Sequence, residues 1–166
     1  ARRVGAELLI NLNASPFHRG KHKERWQVLA DRATEQSIPM IYVNQVGGQD
    51  ELVFDGGSFA VNADGELAMV APDFEEGCFD LSVERTVRGI EIAQGVAATA
   101  LSDVAAVWQA LVLGVRDYVE KNGFPGVVLG LSGGIDSAVT LAVAVDALGA
   151  DRVQAVMMPF KYTADM

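Results

Sequence analysis

The chain has little positive charge, almost no sulfur for crosslinks and no long apolar run. Thirteen Lys and Arg stand against twenty-two Asp and Glu, for a net charge of −9 over 166 residues. Such a surface lacks the clustered cations that grip a phosphate backbone, which argues against a nucleic-acid partner. Any phosphate bound here has to be held locally. One cysteine, Cys78, excludes an internal disulfide and suits a reducing compartment, so a cytoplasmic location is expected. Apolar stretches such as Leu141–Val145 fall far short of the ~20 residues of a membrane span, and no signal peptide is read after Ala1-Arg2-Arg3. The two histidines, His18 and His22, have no third ligand at a credible metal-binding spacing. Half of the residues are nevertheless apolar, enough for a packed core in a chain about the size of one domain.

Periodicity supplies the elements. Glu7–Asn13 reads as a buried strand and Met40–Val46 as a second. Between them Trp26, Leu29, Ala30 and Ala33 recur at three and four from Lys21 to Ser37, an amphipathic helix closed by Pro39. Phe59-Ala60-Val61 and Leu67–Val70 flank Asp64-Gly65, a hairpin signal. From Asp73 to Thr99 no steady period is found, which predicts a linker at residues 81–100. Helical spacing resumes over 101–121, with Asn122-Gly123 as its stop. Val127–Leu131 is almost wholly apolar, like a strand buried on both faces. It is followed by an apolar helix over Ile135–Leu148 and a strand over Arg152–Met158, a βαβ crossover in a parallel sheet. The fold class is therefore α/β throughout. Each half has too few strands to cover its own apolar faces, so the chain is read as an internal piece of a longer polypeptide.

The segment joining strand and helix near residue 132 carries the clearest chemistry. Ser132-Gly133-Gly134-Ile135-Asp136-Ser137 places glycines and free N–H groups at a helix start, where the dipole attracts anions. Ser132 and Ser137 can donate to phosphate oxygens, and Asp136, an acid beside an anion site, suits a Mg2+ ion bridging to them. There is no Walker lysine and no G-x-G-x-x-G fingerprint. From composition alone the segment also fits a tight turn with Asp136 as helix cap.

Leu131–Ala138 resembles the signature loop of the ATP pyrophosphatases. With Gly123–Gly130 before it and Val156–Thr163 after it, the chain is similar to the NAD synthetase family within that group. The resemblance implies that ATP adenylates the nicotinate carboxylate of deamido-NAD and that ammonia then displaces AMP. It implies ATP contacts from Gly130, Leu131, Ser132, Gly133, Gly134, Ile135, Asp136 and Ser137, Mg2+ on Asp136, and Met158 near the adenosine end.

In the first half, His18-Arg19-Gly20-Lys21-His22-Lys23 crowds cations at a helix start, where the dipole disfavours them. They read either as solvated side chains or, for Lys21 with Ser15, as facing an anionic ligand at the carboxyl end of the first strand. Asn13–Lys21 and Tyr42–Asp50 look like the nitrilase-type glutaminase domain fused to NAD synthetase. By that resemblance Ser15 and Lys21 contact glutamine at its amino-acid end. The family's cysteine, glutamate and lysine that attack glutamine are expected upstream of Glu7, so no catalytic residue is assigned here. Cys78 lies among Glu75, Glu76 and Asp80, where a reactive thiolate is disfavoured.

The whole reading is a nitrilase-like αββα sandwich, in its C-terminal part, at residues 1–80, a linker at 81–100, and the N-terminal part of a parallel-sheet ATP-pyrophosphatase (PP-loop) domain at 101–166. The implied partners are deamido-NAD, ATP and glutamine, in a homo-oligomer. The rivals are another ATP-pyrophosphatase amidotransferase and a module that binds ATP without chemistry.

Overall fold

The computed structural model describes residues 2–158. Two compact units emerge, Ala1–Val46 with Phe54–Ala106, and Gly47–Val53 with Val107–Met166. Among the described residues no helix is long and apolar enough to cross a membrane.

In the first unit β1 (Leu9–Asn13) is followed by α1 (Lys21–Gln36) and β2 (Met40–Asn44). β1 and β2 pair in parallel, Leu9 opposite Met40 and Asn13 opposite Asn44. The chain then runs through β3 (Val46–Gln49) and β4 (Leu52–Asp55), which pair with each other and belong mostly to the second unit, before β5 (Phe59–Val61) and β6 (Leu67–Val70) extend the main sheet to the order β1-β2-β5-β6. The turn between β5 and β6 is closed by Asn62 N–H donating to the Glu66 carbonyl at 2.9 Å, with Gly65 at φ 85°. That left-handed conformation favours glycine.

Alternation along β2 places Met40, Tyr42 and Asn44 inside. Leu29 and Ala33 of α1 pack with Met40, Tyr42, Phe59 and Val61 on one face of the sheet. Ala60, Ala68, Met69, Ala71 and Ile92 form a second cluster. Phe59 and Val61 are wholly enclosed, each contributing about 1.5–3 kcal/mol through burial.

Several expectations are corrected. α1 stops before Pro39, because Ser37 turns left-handed at φ 51° and gives its N–H to the carbonyls of Ala33 and Thr34. β1 was expected to be buried, but Ile10 and Leu12 are exposed, since they lie on the face opposite Leu9, which packs against the α1 cluster, and no described element covers them. The stretch without periodicity contains a hairpin, β7 (Val83–Thr86) with β8 (Gly89–Ile92). It is pinned by Asn62, whose side chain exchanges hydrogen bonds of 3.0 and 2.8 Å with the Ile92 main chain.

The second unit holds most of α2 (Asp103–Lys121), then β9 (Val127–Leu131), α3 (Ile135–Leu148) and β10 (Val153–Met157). β9 and β10 pair in parallel, Val127 opposite Val153 and Leu131 opposite Met157, as the crossover requires. Gly123 at φ 70° ends α2, its N–H donating to the Glu120 carbonyl at 3.0 Å. Val112 packs with Val143 and Ala147. β9 is not buried on both faces: Val128 is 68% exposed, because α3 covers one face and no described element covers the other.

Candidate functional site

In the first unit the chemistry gathers where β1 and β2 end. Ser15 follows β1, and Asn44, buried, closes β2. The Asn44 side chain grips the Ser15 main chain at both ends, accepting the Ser15 N–H at 2.9 Å and donating to the Ser15 carbonyl at 3.2 Å. Arg25, one turn into α1, is 6% exposed. Its Nη1 donates to both oxygens of Asp55 at 2.8 and 2.9 Å, its Nη2 to the carbonyls of Ser15 and Pro16 at 2.9 Å each, and its Nε to the Ser15 hydroxyl at 3.2 Å. Asn44 Nδ2 also donates to Asp55 at 3.2 Å. Burial pushes the Asp55 carboxyl up, and the Arg25 fork opposes that shift. A buried pair of this kind holds only while both partners and the remaining hydrogen bonds are present.

Lys21 opens α1, half-exposed, with Nζ 3.3 Å from Glu24. Among the described residues no hydrogen bond or ion pair joins it to Ser15. Asn44 also lines a cavity of about 370 Å3 with Tyr42, Gly57, Ser58, Glu76 and Phe79. Cys78, beside this lining, is exposed.

His22, the next residue of α1, places Nδ1 3.2 Å from Asp73 Oδ1. That oxygen is buried with no other hydrogen-bond partner among the described residues, which leaves the imidazole as the group that faces it. Hydrogen bonding to the Asp73 carboxylate, and after it the charge of that group, pushes the His22 pKa up against the opposite effect of burial.

Sequence reasoning passed over Arg25 and Asp55. The signal was present: Arg25, Leu29 and Ala33 recur every four residues and share the buried stripe of α1. Arginine's charge points to solvent in a pattern reading, whereas Trp26, counted as apolar, is 38% exposed.

In the second unit the Ser132–Ser137 loop joins β9 to α3 as expected. Gly133 sits at φ 82°, and Gly134 is the helix N-cap with no side chain bonded to the first N–H groups. Asp136 is therefore not the cap; it lies in the first turn with its carboxylate exposed. The loop is tied internally. Ser137 Oγ donates to the Gly134 carbonyl at 2.9 Å, and the Ser132 and Ser137 hydroxyls lie 3.4 Å apart. The Met158 N–H donates to the Leu131 carbonyl at 3.1 Å, and the Met158 thioether lies where a side chain on Gly130 would have to go. Gly130, Leu131 and Met158 thus meet at the strand ends, while Ile135 is exposed at the helix start. Uncapped N–H groups at a helix start form an anion site.

Comparison with known proteins bears out the resemblance read in the sequence. The chain belongs to the carbon-nitrogen hydrolase family, which it matches over residues 1–90, and residues 107–166 match the NAD synthase family. It is 48% identical to the glutamine-dependent NAD(+) synthetase of Acinetobacter baylyi over 99% of its length, and 50% identical to that of Xylella fastidiosa strain 9a5c over 98%. The structure of the glutamine-dependent NAD+ synthetase from Acinetobacter baumannii in complex with ADP superposes with a TM-score of 0.91 at 49% identity, over 98% of this chain and 30% of that one. The chain spans about 30% of the length of the curated relatives it matches. The α/β fold class, with a carbon-nitrogen hydrolase part ahead of an NAD synthase part, is as the sequence indicated.

Proposed function

We propose that this chain is part of an enzyme that converts deamido-NAD to NAD with ATP, using ammonia released from glutamine. The observation that carries the reading is the uncapped Gly134 end of α3 beside Ser132, Ser137 and Asp136, in a segment matching NAD synthase. The first N–H groups of α3 and the two serine hydroxyls hold the triphosphate, with Gly133 and Gly134 letting the main chain come close. Met158 and Gly130 lie toward the adenosine end. The nicotinate carboxylate attacks the α-phosphorus of ATP, pyrophosphate leaves, and ammonia then attacks the acyl carbon with AMP as leaving group.

Among the described residues no group of three or more His, Cys, Asp or Glu could hold a metal unaided. The exposed Asp136 carboxylate fits Mg2+ of the kind held by one or two carboxylates and substrate phosphates. Such an ion would neutralise charge on the phosphates as pyrophosphate departs.

In the carbon-nitrogen hydrolase part, Ser15 and Lys21 take the amino-acid end of glutamine, the lysine supplying charge for its carboxylate. The residues that attack the amide are assigned to the longer protein, not to exposed Cys78. Residues 1–80 form the glutaminase part, 81–100 the connection and 101–166 the synthetase part, in a cytoplasmic homo-oligomer.

The test is pyrophosphate release by the full-length protein with ATP, Mg2+, deamido-NAD and ammonium, for the wild type and Asp136→Ala. Release that falls by about 100-fold or more in the variant, the scale of losing charge stabilisation at the reacting phosphate, is expected. Equal rates would remove Asp136 and the bound ion from the mechanism. Binding of ATP without pyrophosphate release by the wild type would leave only a nucleotide-binding module.

A further inference from the structure

Every nitrogen of the Arg25 guanidinium has an acceptor. Nη1 donates to the Asp55 carboxylate, Nη2 to the carbonyls of Ser15 and Pro16, and Nε to the Ser15 hydroxyl oxygen. Arg25, only 6% exposed, is thus engaged with the protein itself, even though it is a cation next to Ser15. Its effect on Ser15 is directional. Because Nε donates into the hydroxyl oxygen, the hydroxyl hydrogen is turned away from Arg25, and among the described residues it donates to nothing. Asn44 fixes the same residue from the other side through its N–H and carbonyl. Asp55 holds both Arg25 and Asn44.

From this geometry we infer that Arg25, Asn44 and Asp55 are positioning residues that present the Ser15 hydroxyl as a donor, making Ser15 selective for a carboxylate acceptor on the amino-acid substrate. The inference rests on the reading of Ser15 as a glutamine contact. Lysine in place of Arg25 keeps the charge for Asp55 but cannot supply the fork that reaches Ser15 and Pro16 together. The hydroxyl is then free to turn, and its hydrogen can be spent on a nearby carbonyl. Binding of glutamine weakens while the chemistry at its amide, at the other end of the molecule, is untouched.

The experiment measures NAD formation by the full-length protein with glutamine and, separately, with ammonium, for wild type, Arg25→Lys, Asn44→Ala, Ser15→Ala and the double variants with Ser15→Ala. Arg25→Lys and Asn44→Ala are each expected to raise KM for glutamine by about tenfold, the scale of one charge-assisted hydrogen bond. Their kcat with glutamine and their ammonium-dependent rate stay close to wild type. In the Ser15→Ala background the same substitutions add little, since they act through Ser15. If Arg25→Lys does not accumulate as folded protein, Asn44→Ala carries the test alone. KM unchanged in Asn44→Ala, effects that multiply with Ser15→Ala, or a fall in kcat at constant KM would each overturn the inference and leave the cluster a structural one. A wild type that makes NAD from ammonium and never from glutamine would instead bring down the glutamine reading on which it stands.

Discussion

At the scale of single residues, Arg25 and His22 of α1 face acids from unequal settings. Arg25 is enclosed with an acceptor at every nitrogen, whereas His22 is partly exposed and is paired with Asp73, with Asp55 and Arg25 acting on it by charge. The His22 pKa stands above its ordinary value of 6.5 through the Asp73 carboxylate. A histidine raised in the folded state stabilises it fully below the unfolded pKa, and the contribution is lost as pH rises through the folded pKa. The folded protein should therefore lose a small increment of stability between about pH 6.5 and the raised value. Asp73→Asn should bring the His22 titration, followed by imidazole NMR, back down and remove that pH dependence. An unchanged His22 titration in Asp73→Asn would contradict the assignment of Asp73 as its cause. Arg25 shows why residue identity misled: its position on the Leu29 and Ala33 stripe was legible, but its acceptors, Ser15, Pro16 and Asp55, come from segments that only folding brings together.

At the scale of elements, the strong local signals were read correctly, including α2 with its Gly123 stop, the β5–β6 hairpin and the β9–α3–β10 unit. β3 and β4 were missed because Gly47-Gly48 reads as a turn. The glycines serve close packing instead. The Gly48 N–H donates to Asp117 of α2 at 2.7 Å, and Lys121 Nζ reaches both the Gly48 carbonyl at 2.7 Å and Asp117 at 2.9 Å. Burial alone would raise the Asp117 carboxyl, but Lys121, the Gly48 N–H and Arg116 outweigh it and hold it below its usual range. The β7–β8 hairpin was missed for a similar reason, since its anchors, Asn62 and the Arg85–Glu7 ion pair at 2.6 Å, are distant in sequence. Gly126 gives an element-level test. A Cβ there would run into the Arg152 carbonyl oxygen, a backbone atom that cannot turn aside. Gly126→Ala should destabilise the strand pair by about 1–3 kcal/mol, read as a lower denaturant midpoint. An unchanged midpoint would mean that β9 and β10 do not approach this closely.

For the whole molecule, family membership was legible because two short, unrelated motifs, Asn13–Lys21 and Leu131–Ala138, occur in one chain. That each half leaves apolar strand surface bare was legible, but which residues show it was not. Periodicity reports which residues are apolar, whereas the covering element decides which of them are buried, as Ile10, Leu12 and Val128 show. The proposed function divides along the same line. The uncapped start of α3 in one unit and the Ser15 cluster in the other have different chemistries, and the proposed reaction needs both. The measurement that tests this most directly is product analysis of the full-length protein with ATP, Mg2+, deamido-NAD and glutamine labelled with 15N in its amide. The account predicts NAD carrying the label, with AMP and pyrophosphate formed in equal amounts. Unlabelled or absent NAD under conditions where glutamine is consumed would contradict it.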